Sequence, residues 1–381
     1  MDAPRDFWWN NITGPHVFVT SVADALVENK MVLLKVPADL PWRHSMRGAI
    51  RAVFLDKTDS SEAVIEEIDM VDDNPENIEP GRFILNRYAS TSISRGYRER
   101  SKVTIQEYIA AKKVIRNRIL WVKGLTGKHA EKWIKFCRGF LQASSESGLF
   151  VLEIHGEIAI SETHLLKYID FSEYVSSYDV QLFNSLLLDG QKTYSNIWKN
   201  YISTSAALVS GTDVEISALL INIVDFRKNS VLDGIKVIAE MPEFFRRGVE
   251  GDSNHVLRHF RNNNMVELQH RMWCSQVQVL FPIIELERVK IVEKWKDNLQ
   301  EALNHNSVTQ YGESLKDARD IEIGSLCYMM KHRGNGGLYL LNIPEEEERR
   351  RIELLHVCRN RLAHAACCTP IQIAELLNVN K

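Results

Sequence analysis

The first half of the chain takes its expected architecture from the run Gly148-Leu-Phe-Val-Leu-Glu-Ile154, which is apolar and too short for a buried helix. A helical stretch, Ala130–Ala143, precedes it, and the apolar run Arg118-Ile-Leu-Trp-Val122 precedes that helix. Further upstream, Val32-Leu-Leu-Lys-Val36 is followed by helical spacing near residues 45–54. Apolar strands that alternate with helices predict a parallel sheet with helices on its faces.

Two more segments extend this prediction. Arg82-Phe-Ile-Leu85 is a short apolar run that suggests another strand, and residues 104–117 have helical spacing. Residues 160–250 are expected to be mostly helical, with Gly and Asp breaks. We therefore expect an α/β domain over residues 1–190 and a helical connector over residues 191–253.

The last third of the chain is expected to be all-α, as a domain over residues 254–381. Residues 270–303 carry an apolar stripe at helical spacing, with a kink or restart expected at Pro282. A second helix is expected over residues 314–331. A third begins near Pro344, where three acids, Glu345 to Glu347, stand four residues before Arg349 to Arg351 and favour helical ion pairs.

Composition bounds the class of protein without naming it. The chain has 381 residues, a formal net charge of −3 and 45% hydrophobic residues, which excludes a collagenous or disordered chain. Six cysteines are too few for a disulfide scaffold and favour a reducing compartment. No apolar run reaches the roughly 20 residues of a membrane helix, and no signal peptide is seen. We expect a cytoplasmic protein with no membrane partner.

The near-zero net charge hides a segregation of charge. Residues 56–80 contain ten acids and one base, whereas residues 82–135 contain fourteen bases and three acids. One interpretation is that the two segments neutralise each other in the fold. The other is a basic face for phosphates or RNA, with the acidic segment as an exposed loop.

The first half carries a partial match to a nucleotide-binding motif. A P-loop needs Gly-x4-Gly-Lys-Ser/Thr, and the nearest match is Gly124-Leu-Thr-Gly127-Lys128-His129, with a shorter spacing and His in place of Ser/Thr. Lys128 is thus a cofactor-binding candidate on a partial motif. No strand is expected to end in a metal-binding Asp, and Glu153 is expected at the surface or as a cap. Strand order and lengths resemble a P-loop ATPase core of the AAA or STAND type with its signature loops lost, which implies a domain without hydrolytic activity.

The most informative stretch is His356-Val-Cys-Arg-Asn-Arg-Leu-Ala-His364. Helical spacing places Arg359 in an apolar stripe with Ile352, Leu355 and Leu362, which predicts a partner or ligand because burying an unpaired guanidinium is costly. Asn360 and His364 are i,i+4 neighbours. Arg359 and His364 differ by about 140° around the helix, so two antiparallel copies of the helix would be needed to aim both at one atom.

Arg359-Asn360-x3-His364 resembles the R-[ND/H]-x3-H motif of HEPN domains, which are all-α modules common in bacterial defence and toxin–antitoxin systems. The resemblance covers residues 255–381. It implies a homodimer whose paired motifs face one cleft, a metal-independent endoribonuclease activity on RNA, and a role in antiviral defence. A partner protein or antitoxin is a further binding partner of such modules.

These residue types suit RNA cleavage, because RNA supplies its own 2′-OH nucleophile. His364 can transfer protons near neutral pH, and Arg359 can grip the phosphate through two hydrogen bonds. Asn360 is expected to orient His364 or the phosphate. No metal or other cofactor is predicted, and the expected products are a 2′,3′-cyclic phosphate and a 5′-OH.

Several alternatives stay open at this point. The helical domain could be a non-catalytic dimerisation or scaffold subunit of a defence complex, or the first half could be a nucleotide-sensing switch acting through Lys128. Two His and three Cys lie within thirteen residues, and these are residue types that bind zinc, but their spacing matches no zinc motif. Arg288 falls on the apolar stripe of its helix beside Glu285, and it is expected to pair with a helix acid such as Glu322 rather than to act in catalysis.

Overall fold

The computed structural model describes residues 4–58, 63–73, 78–98, 102–125, 127–143, 148–155, 163–249, 254–305, 315–334 and 337–378. The chain divides into two compact units. Unit 1 comprises residues 1–183 and 246–253, and unit 2 comprises residues 184–245 and 254–381. The stretch expected as a connector therefore supplies most of its residues to unit 2.

Unit 1 is built on one five-stranded sheet. Its strands pair in the order β2-β3-β4-β1-β5, and every neighbouring pair is parallel. The predicted parallel sheet is confirmed. The strands are β1 Met31–Lys35, β2 Val64–Asp69, β3 Arg118–Leu125, β4 Leu149–Ile154 and β5 Leu166–Asp170.

Helices cover both faces of this sheet. The helices of unit 1 are α1 Pro4–Asn11, α2 Thr13–Val27, α3 Arg43–Thr58, α4 Pro80–Tyr88, α5 Thr91–Gly96, α6 Ile105–Ala111, α7 Gly127–Ala143, α8 Phe171–Tyr174 and the first part of α9 Ser177–Asp189. Leu33, Val122 and Leu152 belong to the core formed with α4, α6 and α7. Because strand side chains alternate, Leu34, Trp121 and Glu153 point to the opposite face, where α3 begins.

One strand prediction is wrong. Phe83, Ile84 and Leu85 lie buried within helix α4, which begins with Pro80 at its first helical position, where the missing N–H costs nothing. A short apolar run cannot distinguish a buried strand from a buried helix. Strands β2 and β5 were not predicted, because most of their residues are only partly buried and several are charged.

The acidic segment is not a loop throughout, because it contains β2, and several of its carboxylates pair with bases. Arg87 bonds Asp73 at 2.8 Å, Lys132 bonds Glu79 at 2.6 Å, and Arg118 pairs with Glu66. Local neutralisation thus accounts for part of the segregated charge.

Unit 2 is helical and has a large hydrophobic core. The rest of α9 is followed by α10 Asn196–Ser210, α11 Val214–Ile223, α12 Val231–Ala239, α13 Val256–Arg261, α14 Met265–Lys294, α15 Lys296–His305, α16 Ile323–Lys331, α17 Glu346–Ala363 and α18 Pro370–Leu377. Buried residues of α10 to α12 share this core with those of α14, α16 and α17. The helical second half is as predicted, and no helix in the described residues is long and apolar enough to cross a membrane.

The boundaries in unit 2 differ from those predicted. Helix α14 continues through Pro282, which is exposed, so that the carbonyl left without an amide donor can be hydrated, and the break comes instead at Trp295. Three ion pairs were expected at the start of α17, and the pair between Glu346 and Arg350 is present. Arg351 bonds Glu287 on α14 instead, with Nε 2.8 Å from Oε2.

Candidate functional site

Helix α17 presents one apolar face to the core and is fixed at its C-terminal end. Ile352, Leu355 and Leu362 are buried. Trp273 of α14 donates from Nε1 to the Leu362 carbonyl over 2.7 Å. These contacts give the last turns of α17 a defined position, which a site of precise geometry requires.

A buried glutamine holds the segment that follows α17. Gln276 on α14 is 1% exposed, and its amide makes two hydrogen bonds to the main chain of Cys368. Nε2 donates to the Cys368 carbonyl over 3.2 Å, and Oε1 accepts from the Cys368 N–H over 2.6 Å. The turn that carries His364 therefore lies between two anchored points, Leu362 and Cys368.

Arg359 lies at the edge of the apolar stripe and has a carboxylate partner. Its Nη2 lies 3.1 Å from Oε2 of Glu322, the residue preceding α16. The Arg359 side chain is 29% exposed and that of Glu322 is 63% exposed. The predicted partner for Arg359 is thus present. Arg288 pairs with a helix acid, as expected, but that acid is Glu285 on its own helix and not Glu322: Nε of Arg288 lies 2.8 Å from Oε2 of Glu285.

Asn360 connects Arg359 to a histidine on the preceding turn. Its Nδ2 lies 2.8 Å from Nε2 of His356, and its Oδ1 accepts from Arg359 Nη1 over 3.4 Å. An amide N–H2 can only donate, so Nε2 of His356 is the acceptor and the ring proton resides on Nδ1. Burial lowers the pKa of His356, and the positive charges of Lys331 and Arg359 lower it further. His356 is therefore a neutral imidazole at pH 7.

His364 stands apart from this group. It is the residue after the last helical turn, and its backbone N–H donates to the carbonyl of Asn360 over 3.1 Å. Ala365, which follows, has a φ of 55°, so the chain turns sharply away from the helix. The His364 side chain is exposed. Asn360 was expected to orient His364 or the phosphate; its amide bonds His356 instead of His364, and the role toward phosphate stays a prediction.

We call Glu322, His356, Arg359 and Asn360 the α17 polar cluster. Arg359 and Asn360 were predicted from the sequence as site residues. His356 was expected only as a possible zinc ligand, and Glu322 only as a possible partner for Arg288. His356 stands four residues before Asn360, a spacing visible in the sequence. The contact between Glu322 and Arg359 joins residues 37 positions apart, so no spacing along the helix predicts it.

The cysteines near α17 are free thiols in this structure. Cys358 and Cys368 are buried, and the Cys368 thiol donates to the Cys358 carbonyl over 3.8 Å. Burial raises the pKa of Cys367 to about 11. Among the described residues, no three His, Cys, Asp or Glu side chains are placed to share a metal ion.

In unit 1, the loop between β1 and α3 stands where a nucleotide-binding sheet would hold phosphate. Arg43 donates from Nη2 to the carbonyls of Pro37 and Ala38, over 2.9 and 2.8 Å. Its Nη1 lies 2.8 Å from Oε1 of Glu153, which is fully buried. The guanidinium is thus turned inward onto protein acceptors.

Glu153 was expected at the surface, and that expectation is wrong. In addition to the ion pair with Arg43, Oε2 of Glu153 accepts a hydrogen bond from Trp121 Nε1 over 2.8 Å. His155 continues the same region, with Nδ1 3.0 Å from the Val36 carbonyl. The carboxyl ends of the central strands are therefore joined by internal polar contacts.

Two strands do end in Asp, contrary to expectation, and both carboxylates are engaged. Asp69, at the end of β2, lies 3.4 Å from Lys123 Nζ and accepts from the Val71 N–H. Asp170, at the end of β5, lies 3.0 Å from Lys35 Nζ. Partial burial raises the pKa of Asp170, but hydrogen bonds from Lys35 and Ser172 outweigh this and leave it below its ordinary value.

Lys128 is the second residue of α7, and its side chain lies outside the described residues. Strand β3 precedes this helix, as the partial motif requires, and Gly124 has a φ of 72°. Comparison with known proteins adds no candidate site, since no protein-family model and no curated protein matches the chain.

Proposed function

We propose that unit 2 is a metal-independent endoribonuclease of the HEPN type, acting as a homodimer. The observation that carries the proposal is the end of α17, where a partly exposed Arg359 in the polar cluster is followed five residues later by an exposed His364 on a turn anchored to α14. The motif resemblance alone assigns this activity to bacterial antiviral defence.

In the proposed reaction, the RNA 2′-OH attacks the adjacent phosphorus. Its proton passes to an imidazole, a 2′-O–P bond forms, the P–O5′ bond breaks, and the leaving 5′-oxygen takes a proton. His364 is assigned the proton transfers, because its imidazole is exposed. His356 is less suited, since its Nε2 lone pair already accepts from Asn360.

Arg359 is assigned to the phosphate. Its guanidinium would stabilise the charge that develops on the non-bridging oxygens in the transition state. Asn360 and His356 are positioning residues in this scheme, because Asn360 contacts Arg359 on one side and His356 on the other. Glu322 holds the guanidinium before the phosphate displaces it.

The test is cleavage of tRNA or total RNA by the full chain in EDTA. Arg359→Ala and His364→Ala should each lower cleavage by about 100-fold or more. Arg350→Ala on the same helix and His332→Ala, both exposed, are matched controls that should cleave like wild type. DNA should stay intact because it lacks the 2′-OH. Wild-type cleavage rates in both Arg359→Ala and His364→Ala would remove the proposal.

Dimer formation across the site has its own test. Mixing Arg359→Ala protomers with His364→Ala protomers should restore part of the activity if each site draws Arg359 and His364 from different chains. Wild type should also sediment as a dimer. A monomer that cleaves RNA would retain the enzyme but exclude the composite site.

One observation favours a second function. Arg359 is already paired with Glu322, which is what a purely structural arginine would show. Unit 2 would then be a non-catalytic dimerisation or scaffold module. If unit 2 is such a module, Arg359→Ala should weaken folding or self-association, and the wild-type protein should leave RNA intact.

A further inference from the structure

An open polar cavity of about 450 Å3 lies between α4 and α5 in unit 1. It is separate from the α17 polar cluster and from the contacts at the carboxyl ends of the strands. Two arginines, two hydroxyls and one amide dominate its lining, which consists of Arg82, Asn86, Ala89, Thr91, Ser94 and Arg95.

The two arginines of this cavity have no carboxylate partner among the described residues. Arg82 donates from Nη1 to the Ser94 carbonyl over a long 3.5 Å. The Ser94 hydroxyl donates to Asn86 Oδ1 over 3.2 Å, which orients it within the lining. Two unneutralised guanidiniums beside hydroxyl and amide groups form a donor set that suits a phosphate.

The sequence segment that supplies both arginines of the cavity carries a wider excess of positive charge. Four of the fourteen bases between residues 82 and 135 pair with carboxylates, namely Arg87, Arg118, Lys123 and Lys132. Among the remaining bases whose side chains the structure describes, eight have no carboxylate partner: Arg82, Arg95, Arg98, Lys102, Lys112, Lys113, Arg116 and Lys135. An uncompensated set of this size attracts a polyanion rather than a single small anion.

Two aromatic rings lie beside α5, one of the two helices that line the cavity. The rings of Tyr97 and Tyr108 lie 5.4 Å apart, and the Tyr108 hydroxyl donates to the Ile93 carbonyl of α5 over 2.9 Å. Lys112 Nζ stands 6.0 Å from the centre of the Tyr108 ring. Both tyrosines are half-buried, so part of each ring is open to solvent. Basic side chains interleaved with aromatic rings are how proteins hold unpaired nucleotides.

We propose that this surface binds single-stranded RNA, with one backbone phosphate between Arg82 and Arg95 and bases against Tyr97 and Tyr108. Only the choice of RNA as the polyanion rests on the proposed function. Unit 1 would then contribute to RNA binding, while unit 2 carries the cleavage chemistry.

The test is fluorescence anisotropy of the full chain with a labelled 2′-O-methyl oligoribonucleotide, which binds but has no 2′-OH to react. Arg82→Ala and Arg95→Ala should each weaken binding about tenfold. Each should also lower the slope of log Kd against log salt by about 0.7, the loss of one phosphate contact on a single strand. Arg95 makes no described hydrogen bond, so its variant keeps the fold even if Arg82→Ala does not.

Arg5→Ala is the matched control. Arg5 is exposed and forms no ion pair with any residue that the structure describes; it lies on α1, a helix that packs on α2 and α3. Its loss should leave the affinity and the salt slope near the wild-type values. Equal affinities for wild type, Arg82→Ala and Arg95→Ala would overturn the proposal. Binding of ATP with the same Arg82 dependence and no RNA binding would overturn it in favour of a mononucleotide site.

This proposal and the proposed function fail separately. If Arg82-dependent binding is found but unmodified RNA is never cleaved, the RNA surface stands and the nuclease assignment falls. If RNA is cleaved while Arg82→Ala and Arg95→Ala bind and cleave like wild type, the nuclease stands and the RNA surface falls.

Discussion

Nη2 of Arg359 lies 3.1 Å from Oε2 of Glu322, so an ion pair joins α17 to the residue that precedes α16. Glu322 is mostly exposed, and Arg359 keeps part of its guanidinium in contact with solvent. An exposed pair of this kind stabilises a fold by about 0–1 kcal/mol. The pair therefore constrains where Arg359 points more than it stabilises unit 2.

Glu322→Ala separates the catalytic and structural roles of Arg359. We expect the free energy of unfolding to fall by less than about 1 kcal/mol, because the pair is exposed. RNA cleavage should be retained or increased, since the guanidinium is then free for phosphate. Glu353→Ala is the matched control, because Glu353 pairs with Lys331 at 2.9 Å between the same two helices. If Glu322→Ala loses cleavage while Glu353→Ala keeps it, Glu322 is not a partner of Arg359 that phosphate simply displaces.

His356 should make the stability of unit 2 depend on pH. Its pKa is lowered in the folded state by burial and by nearby positive charge, so the unfolded chain binds a proton more readily. Stability should therefore be full above pH 6.5 and decrease as the pH falls from 6.5 through the lowered pKa. The difference in melting temperature between pH 7.5 and 5.5 should shrink in His356→Gln.

His270→Gln is the matched variant for this measurement, because it removes an exposed imidazole from the same unit. It should leave the wild-type difference in place. An unchanged pH dependence in His356→Gln would show that other groups cause it.

Gln276→Leu should destabilise unit 2 by about 1–3 kcal/mol, because it removes both hydrogen bonds to the buried main chain of Cys368. The matched control is Gln278→Leu, which changes an exposed glutamine of the same helix and should have an effect within about 0.5 kcal/mol. Urea unfolding of both variants measures the difference. If Gln276→Leu also lowers RNA cleavage at temperatures where it is folded, the anchored turn positions His364.

Glu153→Gln should destabilise unit 1 by about 3–5 kcal/mol, because it leaves Arg43 without its buried counter-charge. The Trp121 hydrogen bond can persist to the amide oxygen, so the loss comes mainly from the ion pair. The measurement is thermal unfolding of both Glu153→Gln and Glu173→Gln. Glu173 is an exposed carboxylate on α8, so the difference between the two variants gives the contribution of burying Glu153 beside Arg43. Equal stability of the two variants would refute a structural role for Glu153.

The sequence by itself determined the parallel sheet and the helical second half, because apolar spacing depends on residues that are neighbours along the chain. Short apolar runs left the choice between strand and helix ambiguous. Residues 82–85, for example, were predicted as a strand but belong to a buried part of helix α4. The sequence pattern also missed β2 and β5, whose partial exposure weakens the apolar signal.

Only the tertiary structure decided which side chains meet at the end of α17. Helical spacing allows Asn360 to contact either His356 or His364, and the end of the helix at Ala363 settles this in favour of His356. Glu322 reaches Arg359 across 37 positions of the chain, which no local pattern records. Likewise, the burial of Glu153 depends on Arg43 at the start of α3 and on Trp121 of β3, because a buried carboxylate needs a counter-charge and hydrogen-bond donors.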